Sequence, residues 1–267
     1  MTTLSLTKHH GLGNDFLVTF HPDVDDLATL ARRLCDRRRG VGADGLLVAR
    51  AAEGRAARMT LYNADGSRAE MSGNGIRCFA QALAARRGDL SDQLILTDAG
   101  DRLVTLTATD DPATVQARVE MGDVAVLAEP DGWQALGCHP DRPVAHLSLG
   151  NPHSVVGVDD VAVVDLAHLG AQVPHVNLEI VEPGPEPDAI TMRVHERGAG
   201  ITEACGTGAC ASAYAARSWG LVNAGVHDVV VHMDGGTATV SFADDTPQRA
   251  VLTGPATFVA SVEVTLA

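Results

Sequence analysis

The chain has 267 residues, of which 45% are hydrophobic and 20% charged, and this length allows two modest domains with a sizeable core. Its formal net charge of −14 disfavours nucleic acid and anionic membrane surfaces as partners, because phosphates bind basic faces. No apolar run approaches the roughly 20 residues of a membrane-spanning helix, so we expect a soluble globular protein that acts on a small molecule.

The five cysteines are scattered along the chain, without the paired spacing of zinc sites or disulfide frameworks. No metal site is therefore predicted. Cys35, Cys78, Cys138 and Cys210 are expected to be small core residues, as cysteines in a reducing compartment usually are. The first ten residues lack the basic and apolar segments of a secretory signal, which predicts a cytoplasmic protein.

The first half of the chain alternates apolar segments with glycine-rich turns. The pattern predicts strands over residues 4–9, 16–20, 46–49 and 59–62, and helices over residues 26–38 and 76–87. Alternating segments between 94 and 126, such as 103–107 and 115–119, are typical of half-buried strands. A linker is predicted near residues 109–113.

The second half shows the same mixture of signals. It predicts strands over residues 145–149, 155–158, 190–195, 229–233, 237–242, 251–253 and 257–264, and helices over residues 165–169 and 209–219. The high strand content with few helices indicates an α+β fold.

Two motifs occur once in each half and in the same order. Gly13-Asn14 resembles Gly150-Asn151, and the segment EMSGNG at 70–75 resembles EACGTG at 203–208. Two such repeats in one order indicate a duplication. We expect two pseudo-symmetric domains, residues 1–112 and 113–255.

Ser72 and Cys205 each lie at a glycine-flanked turn that opens a predicted helix. Free backbone N–H groups and the helix dipole favour an anion there, and a thiol at such a place ionises more easily. If the two caps lie on opposite sides of one substrate carbon, one group can remove a proton while the other returns one. The backbone N–H groups available to hold a substrate carboxylate belong to Gly73, Asn74, Gly206 and Thr207.

No cofactor is predicted. Pyridoxal phosphate would need a lysine, and Lys8 is the only one in the chain. The segment GVGADG at 40–45 lacks the spacing of a dinucleotide fingerprint.

Five motifs in order resemble the diaminopimelate epimerase family, and the resemblance covers nearly the whole chain. They are HGLGNDF at 10–16, NADGS at 63–67, GNGIR at 73–77, GNPH at 150–153, and ERG at 196–198 followed by ACGTG at 204–208. The resemblance implies two domains, each a mostly antiparallel or mixed sheet wrapped around a central helix, with the last strand, about 256–267, joining the first domain. It also implies a cofactor-independent, homodimeric, cytoplasmic enzyme that interconverts LL- and meso-diaminopimelate on the bacterial route to lysine and peptidoglycan.

The resemblance assigns roles to particular residues. Cys205 is expected to be one catalytic base and acid, with position 72 as the other, while His153 and Glu196 orient and help deprotonate the thiols. Substrate contacts are expected from the side chains of Asn14, Asn63, Asn151, Asn177, Glu196 and Arg197, besides the backbone groups named above. For Asn63 and Asn177 a purely local backbone role stays open, as does a surface ion pair for Arg197.

The chain departs from the family at Ser72, where the family has cysteine. An aliphatic hydroxyl has a pKa about 7 units above that of a thiol, so its anion is roughly 10 kcal/mol harder to form. We therefore expect impaired epimerisation. Ser72 is either engineered, or natural with another group or water as the second base, or the mark of a relative that uses one thiol. Such a relative is a proline racemase-type epimerase or a hydroxyproline dehydratase; an inactive amino-acid-binding protein is a further alternative.

Overall fold

The computed structural model describes residues 2–223 and 225–266. The α-helices in that part of the chain are α1 (Leu27–Cys35), α2 (Gly73–Arg87), α3 (Leu166–Gln172) and α4 (Gly206–Trp219). The strands are β1 (Thr2–Gly11), β2 (Asn14–Phe20), β3 (Gly45–Arg50), β4 (Ala57–Asn63), β5 (Arg68–Ala69), β6 (Gln93–Thr97), β7 (Gly100–Ala108), β8 (Thr114–Asp123), β9 (Ala125–Val126), β10 (Val144–Ser148), β11 (Pro152–Gly157), β12 (Asn177–Pro183), β13 (Ala189–Glu196), β14 (Gly200–Thr202), β15 (Asp228–Met233), β16 (Gly236–Ala243) and β17 (Thr246–Leu266).

The chain folds into two compact units. Unit 1 comprises Met1–Val119 and Gly254–Ala267, and unit 2 comprises Glu120–Thr253. The chain therefore passes from one unit to the other within β8 and returns within β17. The boundaries inferred from the sequence, after residues 112 and 255, stay a prediction, and their outermost residues, Met1 and Ala267, lie outside the described residues.

Unit 1 contains a mixed sheet with α2 as its central helix. β1 is antiparallel to β2 and to residues 257–266 of β17. β2 is parallel to β3, β3 is antiparallel to β4, and β4 is antiparallel to β5 and parallel to β6. β6, β7 and β8 continue as antiparallel neighbours. Residues 73–84 of α2 are all buried, as expected for a helix enclosed by a sheet rather than lying on its surface.

Unit 2 repeats this order of pairings around α4. β10 is antiparallel to β9 and β11, β11 is parallel to β12, and β12 is antiparallel to β13. β13 is antiparallel to β14 and parallel to β15, and β16 lies antiparallel between β15 and residues 246–253 of β17. The prediction of two pseudo-symmetric α+β domains, each with a sheet around a central helix, is confirmed.

Local sequence explains where the two central helices begin and end. Ser72 and Cys205 are the N-caps of α2 and α4, with extended backbone. Each helix stops at a glycine in the left-handed conformation, Gly88 with φ 81° and Gly220 with φ 72°, where other residues would be strained. Both helices therefore begin directly at a glycine-flanked turn. The first N–H groups of each helix, which have no partner within the helix, lie at that turn.

Apart from short strands such as β5 and β14, the structure differs from the predicted elements in three places that bear on the site or the topology. α1 ends at Cys35 rather than at residue 38, because the Asp36 carboxylate accepts the N–H groups of Arg38 and Arg39 and turns the chain. The segments 251–253 and 257–264 belong to one continuous strand, β17. Strand β12 was not predicted at all, and it holds a buried carboxylate in the candidate site of unit 2.

Candidate active site residues

Ser72 caps α2 in unit 1. Its hydroxyl oxygen accepts a hydrogen bond from the N–H of Gly75 at 3.0 Å, which is the ordinary geometry of a serine N-cap. The side chain is partly exposed, whereas Gly73, Asn74 and Gly75 behind it are buried. The hydroxyl is therefore placed at the positive end of a long buried helix, as the sequence predicts.

Cys205 caps α4 in unit 2 in the same way. Its sulfur accepts a hydrogen bond from the N–H of Gly208 at 3.4 Å, and the side chain is buried, with a relative exposure of 4%. A Cβ added at Gly208 would lie 3.3 Å from Sγ of Cys205 and 2.7 Å from Oε1 of Glu179. Only glycine therefore fits at the third position of α4 without moving the groups around the thiol.

The predicted side chains of unit 1 lie close together near the start of α2. The Nδ2 of Asn74 donates to Oδ1 of Asn14 at 3.2 Å, and the Nδ2 of Asn14 donates to Asp44 at 2.8 Å. Arg77, fully buried, donates to Oδ1 of Asn74 at 2.9 Å and to the carbonyl of Pro255 at 3.1 Å. The amide groups of Asn14 and Asn74 thus link the guanidinium of Arg77 to the carboxylate of Asp44, and these hydrogen bonds fix their orientation.

An ion-pair network fixes the carboxylate end of that arrangement. Arg37 bridges Asp15 and Asp44 at 2.7 Å each, and Lys8 pairs with Asp15 at 2.9 Å. Burial alone would raise the pKa of Asp15, but the hydrogen bonds and charges of Arg37 and Lys8 outweigh it and lower that pKa. The only lysine of the chain therefore has a structural partner in unit 1.

His153 and Asn151 come together in unit 2 with Glu179, a residue that the sequence analysis missed. The Nδ1 of His153 lies 2.6 Å from Oε1 of Glu179, and both side chains are completely buried. The Nε2 of His153 lies 3.1 Å from Oδ1 of Asn151, whose Nδ2 donates to the hydroxyl of Thr207 at 3.2 Å. The imidazole is thus fixed at both nitrogens.

Two further groups contact the thiol of Cys205. The hydroxyl oxygen of Thr207 lies 3.5 Å from Sγ, and a side-chain hydrogen bond joins Cys205 to Glu196. Thr202 in turn donates to Oε1 of Glu196 at 2.5 Å. The structure therefore brings the predicted residues Cys205 and Glu196 into direct contact, whereas His153 reaches the thiol through intervening side chains.

The ionisation of Cys205 differs from the expectation based on its helix terminus alone. Burial raises the pKa of the thiol well above its usual value, and the carboxylates of Glu196 and Glu179 raise it further. The hydrogen bonds from Thr207 and Gly208 act in the opposite direction but are outweighed. Burial also raises the pKa of Glu196, against the hydrogen bonds of Thr202 and Cys205. A raised carboxyl pKa suits a group that exchanges a proton with a thiol.

Three of the other four cysteines lie in the core, as predicted from the sequence, and Cys138 does not. Cys35, Cys78 and Cys210 are fully or almost fully buried, and Cys138 is partly buried. Burial raises the pKa of Cys35 and of Cys78 to about 12. Cys78, on α2 six residues after Ser72, lies in the core and is no replacement for a thiol at position 72.

Two of the predicted substrate-contact side chains, those of Asn63 and Asn177, have local hydrogen-bond partners. The Nδ2 of Asn63 donates to the hydroxyl of Ser67 at 3.0 Å within its turn. Asn177 is buried and braces two segments, because its Nδ2 donates to the carbonyl of Pro152 and its Oδ1 accepts the N–H of Arg197. The Arg197 side chain is partly exposed. Their roles toward a substrate stay predictions.

Neither a metal centre nor a membrane-spanning helix is found in the described part of the chain. Among residues 2–223 and 225–266, no three His, Cys, Asp or Glu side chains come together in a way that suits a metal ion. No helix within those ranges is both long and apolar enough to cross a membrane.

Comparison with known proteins agrees with the motifs. The family model for diaminopimelate epimerase matches residues 6–127 and 146–259. The chain belongs to the diaminopimelate epimerase family. One relative, a diaminopimelate epimerase from Desulfitobacterium hafniense, is 36% identical over 279 residues, and the match covers 96% of each of the two chains. The family resemblance drawn from the five motifs is thus confirmed.

Two solved structures share the fold at low sequence identity. A predicted epimerase from Pseudomonas aeruginosa matches with a TM-score of 0.78 and 16% identity, covering 99% of this chain and 100% of that one. A hydroxyproline epimerase from Agrobacterium vitis, solved with bound trans-4-hydroxy-L-proline, matches with a TM-score of 0.70 and 15% identity, covering 99% of this chain and 91% of that one. At these identities the likeness concerns the fold alone.

Proposed function

We propose that this protein is a cofactor-independent epimerase that interconverts LL- and meso-diaminopimelate. Membership of the family supports the reaction and the substrate. The observation that carries the proposal is the environment of Cys205, a buried thiol at a helix N-terminus in contact with Glu196. A thiol that passes its proton to an adjacent carboxylate can then act as a base toward the α-carbon.

In this proposal the two acid/base groups are the Cys205 thiol and the side chain at position 72. The N–H groups at the start of α2 and α4 stabilise the charge that develops on the substrate carboxylate, and Asn14, Asn63, Asn151, Asn177, Glu196 and Arg197 complete the substrate site. Because Ser72 has a hydroxyl instead of a thiol, proton removal or return on its face limits epimerisation. We further propose a cytoplasmic homodimer that acts in lysine and peptidoglycan biosynthesis.

Isotope exchange separates the two half-reactions. Incubated with each diastereomer in deuterated water, the protein is expected to exchange the α-proton through Cys205 faster than it produces the other diastereomer. Ser72→Cys is expected to raise epimerisation by two or more orders of magnitude, because a thiolate forms far more easily than an alkoxide. Cys78→Ala, a change in the core of the same helix, is the control and is expected to leave both rates unchanged.

Each alternative function has its own outcome. An unchanged rate in Ser72→Cys would show that position 72 is not the second acid/base group. Turnover of hydroxyproline but not of diaminopimelate would indicate a proline racemase-type epimerase or a dehydratase. Tight calorimetric binding of diaminopimelate without any deuterium exchange would identify a binding protein that has lost catalysis.

A further inference from the structure

A chain of four polar contacts leads from a buried carboxylate to the catalytic thiol. Oε1 of Glu179 lies 2.6 Å from Nδ1 of His153, and Nε2 of His153 lies 3.1 Å from Oδ1 of Asn151. Nδ2 of Asn151 donates to Oγ1 of Thr207 at 3.2 Å, and this oxygen lies 3.5 Å from Sγ of Cys205. All five side chains are buried, so each hydrogen bond in the chain constrains its neighbours.

The hydrogen bonds from His153 to Cys205 all donate in the same direction, toward the sulfur. His153 is flanked by two oxygens, and the amide oxygen of Asn151 has no proton to donate. Nε2 of His153 must therefore carry a hydrogen, while a second proton is shared between Nδ1 and Glu179. This result is the same whether the shared proton lies on the imidazole or on the carboxyl group.

The same donor direction continues from Asn151 through Thr207 to the sulfur of Cys205. Asn151 accepts from His153 through its oxygen, so its amide hydrogens point toward Thr207. The Thr207 oxygen accepts one of these hydrogens, and its own single hydrogen is then directed away from Asn151. The next acceptor in this series of hydrogen bonds is Sγ of Cys205. A donor at this place stabilises the thiolate and not the thiol.

We propose that the Thr207 hydroxyl is a further catalytic group, a hydrogen-bond donor to the Cys205 thiolate, and that Asn151, His153 and Glu179 are the positioning residues that fix its direction. The importance of this donor for epimerisation rests on the proposed function. Its effect on the ionisation of the thiol does not, because it depends only on contacts within unit 2.

The other charged groups around the thiol do not replace this donor. Glu196 on β13 and Glu179 on β12 both oppose the thiolate. On the remaining strands packed against α4, the ring of His146 on β10 bonds with Ser154, and that of His232 on β15 pairs with Glu186. Together with the N–H of Gly208, the Thr207 hydroxyl is thus a group that favours the anion.

The experiment measures the rate of iodoacetamide alkylation at Cys205 against pH, with peptide mapping to separate it from the other cysteines. In Thr207→Val we expect the midpoint to rise by about one pH unit and the rate at neutral pH to fall roughly tenfold, the size of a hydrogen bond to a charged group. Thr207→Ser keeps the hydroxyl and is expected to restore the parent profile. Ser212→Ala, on the same helix, is the control, since its buried hydroxyl has no hydrogen-bond partner among the described residues.

A double-mutant cycle tests the direction of the chain. In Asn151→Asp the new carboxylate accepts from both sides, so the Thr207 hydrogen turns away from the sulfur. Thr207→Val is then expected to have no further effect in the Asn151→Asp background, because the donor is already lost. An equal effect in both backgrounds would overturn the role of Asn151, and an unchanged midpoint in Thr207→Val alone would overturn the donor itself. Neither readout needs substrate, so a failure here is distinct from a failure to turn over diaminopimelate.

Discussion

The two helix caps have nearly the same backbone and different chemistry around them. Ser72 has φ −141° and ψ 122°, and Cys205 has φ −131° and ψ 114°. Each side chain accepts the N–H of the glycine three residues later, Gly75 or Gly208. The duplication therefore reproduces the geometry that places each proposed acid/base group at the start of a buried helix.

At three equivalent register positions, unit 1 has a residue that does not titrate and unit 2 has one that does. Phe16 pairs with Gly45 across two parallel strands as His153 pairs with Asn177. Two residues further along, unit 1 has Leu47 where unit 2 has Glu179. At the end of the next strand, Asn63 of unit 1 corresponds to Glu196.

The two units share a backbone arrangement but differ in the side chains that contact the capping residue. In unit 1 the amides of Asn14 and Asn74 lead from Arg77 to Asp44, and none of these contacts involves the Ser72 hydroxyl. In unit 2 the corresponding contacts lead to Cys205. A repeat can thus preserve the same helix N-terminus in both halves while the side chains that contact the capping residue differ.

The largest effect is expected from removing the one thiol that has these groups. Cys205→Ser makes the cap of α4 chemically equal to that of α2, and the alkoxide is far harder to form. Exchange of the α-proton of diaminopimelate in deuterated water should fall by about three orders of magnitude or more, within the range of a lost general base. Cys210→Ala, on the same buried helix, is the matched control, and equal losses in both variants would contradict the assignment.

A large effect on stability is expected from making unit 2 resemble unit 1 at a single position. Glu179→Leu introduces the residue found at position 47 and leaves Nδ1 of the buried His153 without its partner. We expect the free energy of unfolding in urea to fall by about 3 kcal/mol, since breaking a buried pair costs more than replacing it.

The double variant His153→Phe with Glu179→Leu reproduces the apolar pair of Phe16 and Leu47. It should recover stability to within about 1 kcal/mol of the parent, because both polar groups are removed together. Equal losses in the single and double variants would show that the pair contributes nothing jointly. Activity is expected to stay low in both.

The sequence predicted the two caps and most of the groups around Cys205, but it missed Glu179. Ser72, Cys205, Asn14 and Asn151 lie in glycine-rich turns, where the order of residues alone indicates the local structure. Glu179 lies in β12, whose first five residues are all buried, so no alternation marks it as a strand. A glutamate within an apolar run also suggests a solvent-exposed position, and only its contact with His153, 26 residues earlier, explains its burial.

The prediction of β17 as two separate strands was wrong for a different reason. Gly254 and Pro255 suggest a break between two strands, as glycine and proline usually do. In the structure the strand continues, because the guanidinium of Arg77 lies directly against Gly254 and bonds to the carbonyl of Pro255. This contact joins residues 178 positions apart, and no local pattern can reveal it.

A smaller effect is expected from adding a methyl group at the third position of each central helix. At Gly208 the new Cβ would lie 2.7 Å from the Glu179 carboxylate, whereas at Gly75 the nearest atom is the Cβ of Ser72 at 3.1 Å. Gly208→Ala is expected to lower stability by about 2 kcal/mol and α-proton exchange by roughly tenfold, since the carboxylate must move. Gly75→Ala should lower the free energy of unfolding in urea by less than half as much as Gly208→Ala. A larger loss of stability in Gly75→Ala than in Gly208→Ala would contradict this comparison.

The smallest effect concerns two carboxyl groups whose pKa values move in opposite directions. The pKa of Asp15 in unit 1 is lowered, because Arg37 and Lys8 outweigh its burial. A lowered folded pKa stabilises the fold fully above the unfolded value of about 3.9, and this stabilisation is lost as the pH falls toward the folded pKa. Asp15→Asn should therefore reduce stability at neutral pH by on the order of 1 kcal/mol and flatten its decline in acid.

Glu196 in unit 2 should give the reverse slope. Burial raises its pKa against the hydrogen bonds of Thr202 and Cys205, so the folded state binds a proton that the unfolded state has already released. Stability from this group is full below the unfolded value of about 4.3 and declines as the pH rises through the window up to the raised folded pKa. Urea unfolding from roughly pH 3 to 8 should show that Glu196→Gln removes this decline while Asp15→Asn removes the acid one. If both variants changed the slope in the same direction, the opposite electrostatics of the two units would be wrong.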